Sequence, residues 1–340
     1  MSDAAEPSVT PNQTDNSDVV GELEDISKKI VEVRSAIGRI IFGQQSVVEE
    51  TLVTLLAGGH VLLIGVPGLG KTRLVETLGT VLGLDERRVQ FTPDLMPADI
   101  LGSEVLEEGE GGKRAFRFIQ GPVFCQLLMA DEINRASPRT QSALLQAMQE
   151  RRVSVAGHYH DLPAPFHVLA TQNPLEQEGT YPLPEAQLDR FLMQVNIDYP
   201  QLAAEREILT ATTGSEEATP QQVMSADELQ NAQRVVRHVP VGDSVMAAIL
   251  ELVRSGRPNS SDIPEVIEHV AWGPGPRASQ ALMLAVRARA VIGGRLAPSI
   301  DDVLALAQPV LRHRMALNFA ARAEGVTLEK IIDKLASRIG

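Results

Sequence analysis

A glycine-rich loop that ends in lysine and threonine is the part of the sequence with the most specific chemistry. It fits the spacing G-x-x-x-x-G-K-[ST] and reads Gly65-Val66-Pro67-Gly68-Leu69-Gly70-Lys71-Thr72. In such a loop the backbone N–H groups surround phosphate oxygens, the lysine adds positive charge and the hydroxyl binds Mg²⁺. A short apolar run precedes the loop and a helical pattern follows, which is the context the motif requires. The alternative is a glycine-rich corner between a strand and a helix.

An acidic pair ends a second apolar run. Residues 126–130 lead directly into Asp131 and Glu132. The carboxyl ends of parallel strands meet at one edge of a sheet, so we expect this pair near the phosphate loop. Asp131 is expected to hold Mg²⁺ through water, opposite Thr72, and Glu132 to orient or deprotonate the attacking water. Taken alone, an acidic pair can also mark a solvated strand end.

Phosphoryl transfer requires donors for the γ-phosphate, and three further side chains are candidates. Asn173 follows the apolar segment 166–171, and its amide could position water or phosphate; the alternative is a plain Asn-Pro turn. Arg190 precedes the segment 191–197, and Arg277 opens a helix after a Gly-Pro-Gly-Pro run. For both arginines the alternative is an ordinary surface position.

The pattern of apolar residues predicts an α/β core with a parallel sheet, followed by an all-helical lid domain. Strands alternating with helices indicate a parallel sheet covered on both faces. The predicted strands are 60–64, 89–91, 126–130, 166–171 and 191–197, with a hairpin at 152–162. The predicted helices are 26–40, 47–57, 71–82, 137–151, 203–210, 226–238, 243–255, 277–292, 300–313 and 328–339. We place the core at 26–199, with an insert at about 92–124, and the lid at 200–340.

Composition and charge limit the kinds of partner. Lys and Arg number 31 against 44 Asp and Glu, a formal net charge of −13, which disfavours nucleic acid and anionic membrane surfaces. No apolar run approaches the roughly 20 residues that span a bilayer, and the first residues lack the regions of a signal peptide. We expect a cytoplasmic protein without membrane insertion. Residues 1–25 contain no Lys or Arg and are expected to form a disordered acidic tail.

The cysteine and a pair of histidines are each expected to have a structural role. Cys125 is the single cysteine, so it cannot form an internal disulfide and is expected to be a small buried residue. His158 and His160 have a spacing seen in zinc sites, but no third ligand lies nearby in the sequence. Hairpin side chains are the preferred interpretation of this pair.

Taken in order, these motifs resemble AAA+ ATPases and, more narrowly, the bacterial MoxR family. The similarity covers roughly Ile40 to Arg314. The run from Asp131 to Glu150 is very specific to this family, whereas the phosphate loop is shared by many. The stretches that carry the resemblance are IFGQ at 41–44, the phosphate loop, DEINRA at 131–136, TQSALLQAMQE at 140–150, TQNP at 171–174, EAQLDRF at 185–191 and PRAS at 276–279.

The resemblance implies a role for each residue of the phosphate-binding half. Lys71 and Thr72 match the Walker A lysine and magnesium ligand, Asp131 and Glu132 match the Walker B pair, and Asn173 matches sensor 1. The cofactors implied are ATP and Mg²⁺. Two further residues, Ile41 and Gly43, lie where members of this family seat the adenine.

The resemblance also implies an assembly. Arg190 matches the arginine finger, which acts on ATP held by a neighbouring subunit, and Arg277 matches sensor 2, which reaches from the lid back to the nucleotide. Arg135 is a second candidate for a contact between subunits. A finger supplied by a neighbour makes hydrolysis depend on an oligomer, and the family suggests a hexameric ring.

The resulting hypothesis is a MoxR-type ATPase that hydrolyses ATP to ADP and phosphate and acts like a chaperone. It would remodel, mature or activate a partner complex, for which the family suggests a von Willebrand factor A domain protein and insertion of a metal cofactor. The insert at 92–124 resembles the helix-2 insert of this clade, expected to face the ring centre or a partner; the alternative is a tolerated surface loop. Rival functions are the motor subunit of a metal chelatase, a nucleic-acid motor and a nucleotide-gated scaffold with negligible turnover.

Overall fold

A parallel five-stranded sheet carries the phosphate loop and the acidic pair. The computed structural model describes residues 16–108, 114–176, 179–214 and 218–340. The strand order of the sheet is β2-β5-β8-β1-β9, and its neighbours all pair in parallel. In chain order the strands are β1 (Val61–Ile64), β2 (Glu86–Gln90), β3 (Gly102–Glu108), β4 (Arg114–Gln120), β5 (Leu127–Asp131), β6 (Arg152–Val155), β7 (His158–Asp161), β8 (His167–Gln172), β9 (Met193–Asn196), β10 (Val270–Trp272) and β11 (Ala316–Leu317).

The central strands are apolar on both sides because both faces of the sheet are covered. Val61 and Leu63 of β1 enter one hydrophobic cluster, whereas Leu62 between them enters the other. All five residues of β5, which ends in Asp131, are buried. This explains why these strands read as unbroken apolar runs instead of alternating patterns.

Fourteen helices in the described residues surround and extend the sheet. They are α1 (Asn16–Gly38), α2 (Gln45–Leu56), α3 (Lys71–Val81), α4 (Pro97–Leu101), α5 (Pro138–Glu150), α6 (Glu185–Leu188), α7 (Leu202–Thr213), α8 (Ala226–His238), α9 (Asp243–Ser255), α10 (Pro264–His269), α11 (Pro276–Ile292), α12 (Ile300–Leu311), α13 (Phe319–Ala323) and α14 (Leu328–Ala336). Two of these helices begin at a capping serine. Ser137 caps α5 ahead of Pro138, and Ser225 forms a capping box with Glu228 at the start of α8.

The region after Pro200 is a helical lid, as predicted, with the short helices α10 and α13 and one ribbon in addition. Strands β10 and β11 form a short antiparallel ribbon that the sequence pattern did not indicate. The lid helix α11 packs against α1 and α2 of the core. One hydrophobic cluster therefore runs from the sheet through these helices into the lid.

The first helix begins earlier than predicted. Disorder was expected through Asp25, but α1 starts at Asn16, and Leu23 is buried. Leu23 lies one helical turn before Ile26 and Ile30, so it extends their buried stripe toward the N-terminus. The rest of the predicted tail, residues 1–15, lies outside the described residues.

The insert at 92–124 contains a ribbon of two short strands. Strands β3 and β4 pair antiparallel from Gly102↔Gln120 to Glu108↔Arg114. Residues 109–113 of the turn between them lie outside the described residues. The insert also contains α4, which the sequence reading missed. No helix in the described ranges is long and apolar enough to cross a membrane.

Candidate active site

The phosphate loop lies between β1 and α3, at the carboxyl edge of the sheet. Gly68 and Gly70 have φ values of 86° and 75°, a left-handed conformation that glycine adopts without strain. Lys71 begins α3, and its Nζ donates to the carbonyls of Gly65 and Val66, at 3.2 Å for Val66. The loop therefore presents backbone N–H groups, a helix N-terminus and an ammonium group together, which is the arrangement that binds phosphate.

Asp131 lies at the same edge and is fixed through both of its oxygens. The Thr171 hydroxyl donates to Oδ1 at 2.6 Å, and Arg88 donates to Oδ2 at 2.5 Å. The side chain is only 11% exposed. Neither contact was predicted, because Arg88 belongs to no motif, Thr171 was noted only as part of the TQNP stretch, and both reach Asp131 from neighbouring strands of the sheet.

Glu132 is held away from the strand by a left-handed backbone. Its φ is 55°, and its N–H donates to the Thr171 hydroxyl at 2.9 Å. Its carboxylate Oε2 accepts from Gln90 Nε2 at 2.7 Å and from Arg135 Nη1 at 3.0 Å. The carboxylate is thus oriented by two donors from its own chain.

Arg135 pairs with Glu132, three residues earlier in the same chain. Its expected contact with another subunit stays a prediction. A one-turn 3₁₀ helix, Ile133–Arg135, brings the two side chains to the same side. The hydrogen bond to Glu132 also raises the pKa of Arg135.

Electrostatics connect the loop with the acidic pair. Partial burial lowers the pKa of Lys71, while the negative charges of Asp131 and Glu132 act in the opposite direction. A cation and two carboxylates are therefore close enough to interact across this edge. Bound phosphates and a hard divalent cation match such a charge distribution.

Asn173 completes the carboxyl edge and is buried directly after β8. Its Oδ1 accepts the N–H of Leu175 at 3.1 Å, which forms the local turn of the alternative interpretation. The turn fixes the side chain through its oxygen. The amide nitrogen is the group with the chemistry to donate to a phosphate oxygen or water.

A mainly apolar cavity lies beside the phosphate loop. Ile41 lines it together with Leu69 of the loop and Ile208 of α7. The other predicted adenine residue, Gly43, does not line this cavity. It has a φ of 69° and packs so closely on α7 that a Cβ there would lie 2.3 Å from the Ala204 Cβ. Gly43 thus allows α7 to approach the cavity, a contribution that the sequence could not reveal.

The two predicted arginines lie at the opposite, amino edge of the sheet. Arg190 and Arg277 line one cavity with Gly59 and His60, which directly precede β1. Strand β1 has four residues at about 3.3 Å each, so about 13 Å separate this edge from the phosphate loop. Arg277 therefore lies away from the phosphate loop of its own chain, and its expected contact with a nucleotide stays a prediction. The lid packs on the side of the core that carries α2, and this places the start of α11 beside Arg190.

The cavity at the amino edge carries an excess of positive charge. Burial, and then the charge of Arg277, lower the pKa of Arg190. Among the described residues no hydrogen-bond partner reaches the buried Nε of Arg190. The nearest counter-charge of Arg277 is Asp189 Oδ2, at 3.8 Å from its Nη1. An anion would relieve the repulsion between the two guanidinium groups.

The other predicted features remain structural. Cys125 is buried, and burial raises the pKa of its thiol to about 12. His160 stacks on Phe118 with ring centroids 3.9 Å apart, so it links the hairpin to β4. Within the described ranges no group of three or more His, Cys, Asp or Glu side chains could hold a metal ion.

Comparison with known proteins gives consistent matches. Residues 60–193 match the model of the ATPase family associated with various cellular activities, and residues 266–335 match the AAA lid domain. The chain is 41% identical to Chaperone MoxR1 of Mycobacterium tuberculosis over 94% of its own length and 83% of that protein. It is 40% identical to protein YeaC of Bacillus subtilis over 93% of its own length and 96% of YeaC.

A more distant relative and a solved structure extend these matches. Protein MoxR of Paracoccus denitrificans is 30% identical over 87% of this chain and 91% of that protein. A crystal structure from Cytophaga hutchinsonii superposes with a TM-score of 0.88 at 35% identity. That superposition covers 96% of this chain and 98% of the other.

Proposed function

The chain belongs to the MoxR family of AAA+ ATPases, and we propose that each of its active sites is formed by two subunits. MoxR proteins are chaperone-like ATPases. In the proposed site one subunit binds ATP and Mg²⁺ at its carboxyl edge, and the next subunit inserts the two arginines of its amino edge. The observation that carries the proposal is the placement of Arg190 and Arg277 at the edge opposite to the phosphate loop of their own chain.

The carboxyl edge supplies the binding half of the site. The loop Gly65–Thr72 would hold the phosphates and Ile41 would contact the adenine. Thr72 and Asp131 offer hydroxyl and carboxylate oxygens, the ligand type that Mg²⁺ prefers, with Asp131 acting through water because Arg88 and Thr171 bind its oxygens. Bound Mg²⁺ would neutralise charge on the β- and γ-phosphates.

Glu132 and Asn173 would act on the attacking water. Glu132 has a left-handed backbone, and the contacts of its carboxylate with Gln90 and Arg135 fix the direction of the side chain. A carboxylate so placed can accept a proton from water as it attacks the γ-phosphate. The amide of Asn173 would donate to the γ-phosphate or to that water.

The arginine pair would act in trans on the ATP of a neighbour. Two guanidinium groups with an unsatisfied positive potential suit the charge that develops on the transferred phosphoryl group. An arginine finger contributes about 10³–10⁵ to the rate in related phosphoryl-transfer systems. Joining the amino edge of one subunit to the carboxyl edge of the next is a heterologous contact, which forms a ring where the rotation between subunits closes and an open filament where it does not. We propose that the ring is a hexamer.

The cellular role in this proposal is chaperone-like. ATP hydrolysis would drive remodelling or activation of a client protein complex in the cytoplasm. Among clients, the family resemblance favours a protein with a von Willebrand factor A domain, and insertion of a metal cofactor is one form that such maturation takes. The ribbon of β3 and β4 is the proposed contact with the ring centre or the client.

Mixing two inactive variants tests the shared site. Arg190→Ala keeps the binding half, and Lys71→Ala keeps the arginines but cannot hold ATP. In random mixed rings about a quarter of the heterologous interfaces pair an intact loop with an intact finger, so ATPase activity should return on mixing. No return in a mixture that co-elutes as one assembly would contradict the proposal.

A further inference from the structure

A fully buried arginine of the lid binds the segment that carries the finger. Arg314 follows α12 and is 2% exposed. It forms an ion pair with Asp189 at 2.7 Å from Nε to Oδ1. Its Nη2 donates to the Phe191 carbonyl at 2.6 Å, and its Nη1 donates to the Leu192 carbonyl at 3.1 Å. The guanidinium thus binds residues on both sides of Arg190 in the chain.

The N–H groups of residues 189–192 are bonded to backbone carbonyls, whereas the carbonyls of Phe191 and Leu192 accept from Arg314. Residues 189–192 connect the four-residue helix α6 to β9. His313, the neighbour of Arg314, also lies 3.1 Å from the Phe191 carbonyl through its Nε2. The carbonyls at the end of a helix and in the following turn attract a cation. A planar guanidinium can satisfy several of them at once.

Asp189 connects this buried contact with the open cavity. One of its carboxylate oxygens binds Arg314, and the other lies 3.8 Å from Nη1 of Arg277. The Asp189 carboxylate therefore links Arg277, and the segment that carries Arg190, to the buried guanidinium of Arg314.

We infer that Arg314 is the positioning residue for Arg190, and that it acts on hydrolysis in the neighbouring subunit instead of at the phosphate loop of its own chain. The inference rests on the proposed function, because it requires Arg190 to act in trans. A purely structural role would lower stability and affect both halves of the site alike. A positioning role affects only the half that donates the arginines.

The test uses Arg314→Lys, which keeps the charge but loses the fork geometry that serves several acceptors. Alone, this variant should lose about 10–100-fold in kcat, the effect of misplacing a reacting group by about 1 Å. Its Kd for a fluorescent ATP analogue should be unchanged, because its own phosphate loop lies at the other edge. Arg295→Lys is the matched control, since Arg295 pairs with buried Asp302 elsewhere in the lid. It should keep wild-type kcat.

Mixed assemblies then assign the defect to one half of the site. Arg314→Lys mixed with Lys71→Ala should regain activity, whereas Arg314→Lys mixed with Arg190→Ala should not. Regained activity with Arg190→Ala, wild-type kcat in Arg314→Lys alone, or no regain with Lys71→Ala would overturn the inference.

Two additional arms keep the result interpretable. If Arg314→Lys does not fold, Asp189→Asn takes its place, because the Asp189 side chain is 20% exposed and the amide keeps an acceptor for Arg314. The same pattern of regain is expected from it and the same outcomes overturn the inference. The reference mixture of Arg190→Ala with Lys71→Ala separates the two levels. If it fails, the shared site and this inference both fall, and if it succeeds while the Arg314 pattern is reversed, only the inference falls.

Discussion

Glu132 combines an uncommon backbone conformation with several hydrogen bonds that hold it. A non-glycine side chain at φ 55° is uncommon, and such conformations persist only where surrounding contacts hold them. Here the backbone N–H is bonded to Thr171 and the carboxylate to Gln90 and Arg135. Glu132, the proposed proton acceptor, is therefore the residue with the strained backbone.

Replacing Glu132 with Gln should separate binding from hydrolysis. The amide keeps the shape but cannot take a proton, so kcat should fall about 10²–10⁴-fold. The Kd for ATP should stay unchanged because the phosphate loop is intact. Phosphate release and titration with a fluorescent nucleotide measure the two quantities. Glu76→Gln, the same change on the exposed side of α3, is the control and should leave both unchanged. Equal loss in both variants would contradict the role of Glu132.

Three buried histidines make stability depend on pH. Burial lowers the pKa of His60 to about 3 and of His167 to about 4, and holds the pKa of His313 well below 6.5. Below pH 6.5 the unfolded chain takes up protons that the folded chain does not. The free energy of unfolding should therefore fall from pH 6.5 toward pH 4, by up to about 1.4 kcal/mol per pH unit for each histidine.

Glu50 opposes this trend and provides a control. Burial raises its pKa to about 7, so the folded state binds its proton more tightly than the unfolded state between pH 7 and pH 4.5. Urea unfolding at pH 7, 6 and 5 should show falling stability in the wild type and a steeper fall in Glu50→Gln. A free energy of unfolding that stays constant or rises toward pH 5 would contradict the account.

At the scale of elements, the position of a site residue could be predicted from the sequence where that position depends on a single strand. Asp131, Glu132 and Asn173 follow apolar runs, so their place at the carboxyl edge could be predicted. Arg88 and Gln90 could not, because they lie on β2, an edge strand with no apolar run, and reach the acidic pair only through the pairing of β2 with β5. Strand order is set by packing over long distances, which local patterns do not report.

The position of the lid relative to the sheet could be predicted less well than the ends of the strands. Among its helices α8 and α9 match the predicted bounds, whereas the short helices α10 and α13 were not predicted. Where α11 begins relative to the sheet depends on its packing against α2, α9 and α12. That packing places Arg277 at the amino edge, a position that the sequence pattern did not specify.

The start of α12 is an element held by one buried carboxylate. The Asp302 side chain is 0% exposed and binds Arg289 and Arg295, while its Oδ2 accepts the Ser299 N–H at 2.8 Å. Asp302→Ala leaves two arginines without this partner and should destabilise the protein by about 3–5 kcal/mol. Thermal unfolding measures the change. Asp301→Ala, an exposed neighbour in the same turn, should have little effect, and equal shifts would argue against the buried pair.

At the scale of the whole molecule, the two halves of the proposed site face away from each other. The phosphate loop and acidic pair occupy one edge of the sheet, and the arginine pair occupies the other. In the proposed arrangement one chain therefore holds every residue of the site, but two subunits are needed to form it. The lid and the core share one hydrophobic cluster. The lid is therefore in a position to determine where the two arginines lie at the amino edge. The domain boundary at 199/200 stays a prediction.

The placement of Arg277 gives the most direct test of the shared site. In a co-assembled mixture, Arg277→Ala with Lys71→Ala should regain ATPase activity, because the intact loop of one variant meets the intact arginines of the other. Arg277→Ala with Arg190→Ala should stay inactive, because both defects lie in the same half. The reverse pattern, activity with Arg190→Ala and none with Lys71→Ala, would mean that Arg277 serves the nucleotide of its own chain and would contradict the account.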